Sequence, residues 1–163
     1  MSDATPKRKP GSAERVRIYL EAHGLADGII TSEQSTKTAQ MAADAAGCEL
    51  GQIVKSLVFV VDGRPTLALV AGDRRGDDKA IAELAGGTEA RFADAETVRQ
   101  STGYAIGGVS PFDLPEGLLV LADESLARFE DVYPAAGTPS SMVRVRLDQL
   151  LELSGATVAR ISH

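Results

Sequence analysis

Tryptophan is absent from these 163 residues, and aromatic side chains make up only 4% of them. The core therefore has to be built from Val, Leu, Ile and Ala, within a hydrophobic fraction of 44%. Cysteine occurs once, at Cys48, which excludes an intrachain disulfide and fits a reducing compartment. With two histidines, His23 and His163, and one cysteine, no zinc set assembles, and no metal site is expected. No run reaches the roughly 18 apolar residues that a membrane span needs. The polar start, Met1 to Gly11, lacks the apolar stretch of a signal peptide, so a cytoplasmic protein is expected. Also missing are G-x-x-x-x-G-K-[ST], G-x-G-x-x-G and H-E-x-x-H, which removes support for kinase, dinucleotide-dependent and zinc-protease readings.

The net charge is −6. A broad, sequence-independent nucleic-acid binder carries a basic surface, and this chain does not. An enzyme that grips only the end of a nucleic acid needs just a few local cations. The length suits one domain with a full core of its own, spanning residues 12–163 behind a frayed tail at 1–11.

Helical spacing of Val16, Tyr19 and Leu20 predicts a helix from Ser12 to His23, stopped by Gly24. A short strand is expected over Gly28 to Ser32, and an Ala-rich helix over Thr36 to Ala46, ended by Gly47. Ser35, Thr36 and Thr38 each offer an N-cap oxygen to it. Gln52 to Val61 is β-branched, Asp62-Gly63 is a hairpin signal, and Thr66 to Val70 returns as a second strand. Helices follow at Asp77 to Leu84 and Ala95 to Ser101, with a strand at Thr88 to Phe92. Later strands are expected at Leu118 to Ala122, Val132 to Ala135, Met142 to Arg146 and Thr157 to Ile161. A helical turn at Leu126 to Phe129 and a helix at Leu147 to Leu153 complete the pattern. Interleaved helices and strands with a central hairpin point to an α/β fold. Its mixed, partly antiparallel sheet would curl into a barrel-like core with helices packed outside.

Lys55 interrupts the run Ile53-Val54-Lys55-Ser56-Leu57-Val58-Phe59-Val60-Val61. Both faces of that strand are apolar, which makes it central. An ammonium there needs a partner or a mouth to solvent. Either it snorkels to water from the strand's start, or it stands at a pocket mouth, aimed at a phosphate, a ribose hydroxyl or a carbonyl oxygen. Gly107-Gly108-Val109-Ser110-Pro111 is either an ordinary tight turn or a loop whose N–H groups approach an oxyanion. It is not a nucleophile elbow, since Phe112 stands where a second glycine is needed. Ala135-Ala136-Gly137-Thr138-Pro139 leaves room at a strand end, or simply turns. Arg74, Arg75 and Lys79 sit among Asp73, Asp77 and Asp78, as a solvated charged loop or as contacts to tRNA phosphates.

Together these segments resemble the YbaK/ProX family of aminoacyl-tRNA editing domains. The resemblance is carried by Thr38-Ala39, Gly51 to Phe59, Ala71 to Arg75, Ser101 to Phe112 and Ala136 to Pro139, with Leu147 to Leu153 behind. It runs from Ile30 to Ile161 and leaves nothing over for a synthetase body, so a freestanding member is implied. The family implies hydrolysis of the ester that joins an amino acid to the terminal adenosine of a mischarged tRNA, with no cofactor. Its strand lysine falls on Lys55 and its glycine loop on Gly107 and Gly108. Its third pocket segment falls on Ala135 to Pro139; Ser56, Ser110, Ala135, Ala136, Gly137 and Thr138 are expected to bind substrate, and Arg74, Arg75 and Lys79 of the charged loop to meet the tRNA. The tRNA acceptor end is the implied partner, with a synthetase as a second one.

Two departures bear on the substrate. The cysteine-removing branch has a serine at the position of Ala135. The alanine-removing branch has an asparagine where Ser56 stands. A small amino acid (Ala, Ser, Thr or Cys) is expected, with proline tRNA the family's commonest theme. Two other readings stay open: a non-catalytic module binding tRNA ends or a synthetase, and a small-molecule esterase using the same loop. Cys48 is given no role.

Overall fold

A β-branched run followed by Asp62-Gly63 becomes a hairpin in the computed structural model, which describes residues 11–33 and 38–163. Strand β2 (Ile53–Val61) pairs with β3 (Arg64–Ala71) from Val54↔Ala71 to Val61↔Arg64. Asp62 and Gly63 have φ of 47° and 85°, the two-residue turn whose twist matches that of the strands. On the far side of β3, β5 (Leu119–Asp123) runs parallel to it, and β9 (Thr157–Ala159) parallel to β5. Against the other edge of β2 lie β4 (Ala90–Phe92), antiparallel, and β6 (Asp131–Pro134), parallel. β8 (Val145–Arg146) pairs with β6. The result is the expected mixed, curled sheet, in the order β8-β6-β2-β3-β5-β9 with β4 beside β2. A two-stranded sheet of β1 (Ile29–Thr31) and β7 (Ser141–Val143) joins it through the bridge Ala135↔Met142.

The segment expected as one strand from Met142 to Arg146 is two strands with different partners. The break falls at Arg144, whose N–H donates to the Gly28 carbonyl at 2.9 Å. The backbones meet so closely that a Cβ on Gly28 would lie 2.4 Å from the Arg144 oxygen. A turn of partner at this crossing has no signature in hydrophobic periodicity.

Helices α1 (Ser12–Ala22), α2 (Ala39–Ala46), α3 (Asp78–Leu84), α4 (Ala95–Thr102) and α5 (Leu147–Ser154) pack around the sheet. Thr38 is the N-cap of α2, its hydroxyl accepting from the Met41 N–H at 3.1 Å. Asp77 and Asp94 cap α3 and α4 in the same way, each cap worth about 1 kcal/mol. The alternative start of α2 at Ser35 or Thr36, and all of the tail but Gly11, lie outside the described residues.

Both faces of β2 are buried. Val54 and Val58 face Leu67 and Leu69, and beyond them Val16 and Leu20 of α1 and Leu150 of α5. Phe59 and Val61 face Val70, Ile81 of α3 and Ile161. Each such aliphatic side chain contributes about 1.5–3 kcal/mol through burial.

The last residues run beside the β3–α3 connection. Arg75 and His163 exchange backbone hydrogen bonds, and the Asp77 N–H donates to the Ile161 carbonyl at 2.7 Å. Asp123, at the end of β5, fastens this segment. Its carboxylate accepts from the Ile161 N–H at 2.9 Å and the Ser162 hydroxyl at 2.7 Å, and from Ser125.

Candidate functional site

The outer edge of β2 is covered at both ends and open between. β6 pairs it at Ile53 and Val54, and β4 at Phe59 to Val61. A cleft of about 310 Å³ opens at this gap. Lys55, Ser56 and Leu57 form one wall, and Ile106, Gly107 and Val109 another. Ala135, Thr138 and Pro139 close a third side, and α2 supplies Ala39 and Ala42. Among the described residues that line the cleft, Lys55 carries the sole full charge.

Lys55 is half-buried, and its ammonium donates to the backbone carbonyl of Arg74. Burial pushes its pKa below 10.5, while nearby Asp73 pulls it back up and Arg75 pushes it further down. An ammonium has three donors, so two remain beyond the Arg74 carbonyl. Asp73 is itself held by Arg128 through two bonds of 2.7 and 2.8 Å. The side-chain hydrogen bond from Arg128 is the main reason its carboxyl titrates below the usual range. Arg128 thus fixes a charge beside the lysine, a role that no local pattern announced.

The glycine loop divides into two parts. Gly108 donates its N–H to the Ala105 carbonyl at 3.0 Å. Gly107, with φ of 87°, takes the third position of this type II turn, where a positive φ is required. Gly108 therefore spends its N–H on the turn and is not among the residues lining the cleft. It packs instead so that a Cβ would lie 3.0 Å from the Thr138 Cα, locking the two pocket segments together. The N–H groups of Gly107 and Val109 have no partner among the described residues, and both residues face the cleft.

Ser110 lies in the core, fully buried, and away from the cleft lining. Its hydroxyl accepts from the Phe112 N–H at 3.4 Å. The Tyr104 hydroxyl donates to the Phe112 carbonyl at 2.5 Å, and burial raises its pKa to about 12. Ala136 and Gly137 likewise sit behind the cleft: Ala136 joins the main core, and Gly137 packs on the Ser12 backbone. Short side chains are required there by close packing. Ala135 and Thr138 do line the cleft, and the Thr138 hydroxyl lies 2.7 Å from that of Ser141. Ser56 presents a buried hydroxyl with no partner among the described residues. Arg74, Arg75 and Lys79 are exposed on the β3–α3 connection and the first turn of α3. Cys48 packs with the Ala42 and Ala43 cluster outside the cleft, its thiol pushed up in pKa by burial.

The family described as "Aminoacyl-tRNA editing domain" matches residues 33–153. The uncharacterized protein YwhH of Bacillus subtilis (strain 168) is 34% identical over 90% of this chain and 94% of its own. The multifunctional Ser/Thr-tRNA deacylase ProXp-y of Escherichia coli (strain K12) is 28% identical, over 86% of this chain and 87% of its own. Among solved structures, a candidate trans-editing enzyme for prolyl tRNA synthetase superimposes with a TM-score of 0.86 and 41% identity. That likeness covers 96% of this chain and 99% of the other. No helix among the described residues is long and apolar enough to cross a membrane. A sheet left open beside a lysine, a glycine turn lining the same cleft, and likeness over nearly the whole chain agree: this protein belongs to the aminoacyl-tRNA editing domain family.

Proposed function

We propose that this protein is a trans-editing deacylase, hydrolysing the ester of a tRNA mischarged with a small amino acid, Ala, Ser, Thr or Cys. The observation that carries the reading is the cleft itself: about 310 Å³, walled mostly by aliphatic side chains, with both Lys55 and the Gly107 turn in its lining. That space suits a small aminoacyl group and the sugar it is attached to. The similarity to a Ser/Thr-tRNA deacylase and to a candidate prolyl trans-editing enzyme supports the same substrate class, with proline tRNA as the natural carrier.

In this reading a held water attacks the ester carbonyl. The oxyanion takes hydrogen bonds from the N–H groups of Gly107, as first expected, and of Val109, in place of Gly108, whose N–H the turn uses. The intermediate collapses, the bond from the carbonyl carbon to the ribose oxygen breaks, and that oxygen leaves with a proton. For a cysteinyl ester the substrate's thiolate could serve as the attacking group instead of water. The free donors of Lys55 hold the acceptor end by phosphate or ribose, and Arg74, Arg75 and Lys79 meet phosphates further out. An aminoacyl ester is already reactive, so positioning supplies much of the rate.

The test is a panel of mischarged tRNAs. Loss of one charged species, slowed at least tenfold by Lys55→Ala, is the expected result. Binding without turnover across the panel would make this a non-catalytic tRNA-end module, and equal rates on simple aminoacyl esters would make it a general esterase.

A further inference from the structure

Ser56 occupies a gap in a sheet. Backbone N–H and C=O groups of alternate strand residues point to opposite edges. On β2, the Ile53 carbonyl accepts from Gly72 on the β3 side, whereas the Val58 carbonyl accepts from Ala93 on the β4 side. Even-numbered residues therefore turn their polar groups toward the outer edge. Val54 meets β6 there and Val58 meets the end of β4, but Ser56 between them meets no strand among the described residues. Ser56 itself is among the residues that line the cleft.

The aminoacyl end of a charged tRNA is, chemically, one residue of extended backbone: an amine, an α-carbon with a side chain, and a carbonyl. We propose that this end docks as the missing strand residue opposite Ser56. The substrate amine donates to the Ser56 carbonyl, and the substrate carbonyl accepts from the Ser56 N–H, as two opposed residues do in an antiparallel ladder. This inference rests on the deacylase reading and adds a positioning group to it. Three observations converge on it. The gap spans Lys55 to Leu57, three residues and about 10 Å of strand at the usual rise, and of these Ser56 alone turns its polar groups outward, so one residue can pair there. Directly opposed residues in a ladder share a face, so the side chain of an L-amino acid lands beside that of Ser56, whose hydroxyl is buried and without a partner among the described residues. The Lys55 ammonium, on the opposite face of the strand, is drawn away to the Arg74 carbonyl and leaves the amine position uncontested.

Pairing of this kind requires a free α-amine and L stereochemistry, and it uses a main-chain donor. The experiment compares alanyl- and seryl-tRNA with their N-acetylated and D-configured forms. In parallel, binding of the non-hydrolysable 3′-aminoacylamido-adenosines is measured by calorimetry. A second protein carries an ester in place of the Ser56 backbone amide, which deletes that N–H and weakens the Lys55 carbonyl as an acceptor toward Val70. The expected result is at least a tenfold loss of turnover and of analogue binding on N-acetylation and on inversion at Cα. The backbone ester loses analogue affinity by a similar factor while melting only slightly lower, because no sheet partner uses that N–H and only the Val70 bond to the Lys55 carbonyl is weakened. Equal turnover of free and N-acetylated esters overturns the docking mode and leaves the deacylase standing. Absence of turnover on every charged tRNA overturns the deacylase reading, while analogue binding to the intact and backbone-ester proteins still decides the docking mode.

Discussion

The two halves of β2 are built from the same kind of residue and live in different surroundings. From Val58 to Val61 the strand has β3 on one side and β4 on the other, with Phe59 buried against Phe92 at 4.6 Å between ring centres. From Lys55 to Leu57 it has β3 alone. The closed half shows what a β-branched run does when every backbone group finds a partner. The open half shows that a site can be made by withholding one. Nothing in the strand's composition marks the boundary; it is set by where β4 ends and β6 begins.

That contrast can be broken from either side. The largest effect is expected in the closed half: Phe59→Ala should cost about 3–5 kcal/mol of stability, measured by urea denaturation, since the ring is almost wholly buried. Deacylation per folded molecule should hardly change. Lys55→Ala should do the reverse, slowing deacylation about 100-fold with little change in stability, as read from single-turnover rates. Removing a half-buried ammonium also removes its desolvation cost, so no stability loss is expected.

Gly107→Ala sharpens the comparison at the opposite wall. The added methyl has room, with Pro139 3.7 Å away, but the φ of 87° is unfavourable for any L side chain. A stability loss of about 1–2 kcal/mol is expected, with slower turnover as the turn relaxes.

The smallest effect belongs to the closed flank and appears only in acid. Burial raises the pKa of Asp123, but the hydrogen bonds from Ser125, Ser162 and Ile161 outweigh it and hold the carboxyl below the usual range. A depressed folded value means that stability from this group is complete above the unfolded value of about 3.9. It is lost as pH falls through the lower folded value. Thermal unfolding of the wild type from pH 5 downward should show this loss, and Asp123→Asn should show less of it.

The hairpin was legible because its signals are local: β-branched residues, Asp62-Gly63, and a return strand. Lys55 was legible as an anomaly within an apolar run, and Thr38, Asp77 and Asp94 as caps. The gap beside Ser56 was not, because it depends on β4 and β6 arriving from about 30 and 80 residues further on. For the same reason the chain could not reveal that Gly108 uses its N–H within the turn or that Ser110 faces the core. It also gave no sign that Arg144 would divide two strands. Small residues in the sequence looked like room for a substrate; Ala136 instead joins the core, and Gly137 makes room for the backbone of Ser12.

The tether on Lys55 reaches further than its own strand. Arg74, whose carbonyl holds the ammonium, is followed at once by Arg75, and Arg75 is laced to His163 by a reciprocal pair of backbone bonds. The lysine's reach is thus calibrated by a stretch of chain more than a hundred positions away, which touches no wall of the cleft. Trimming Ser162 and His163 would leave every cleft residue in place and yet free the strut against which the ammonium is braced.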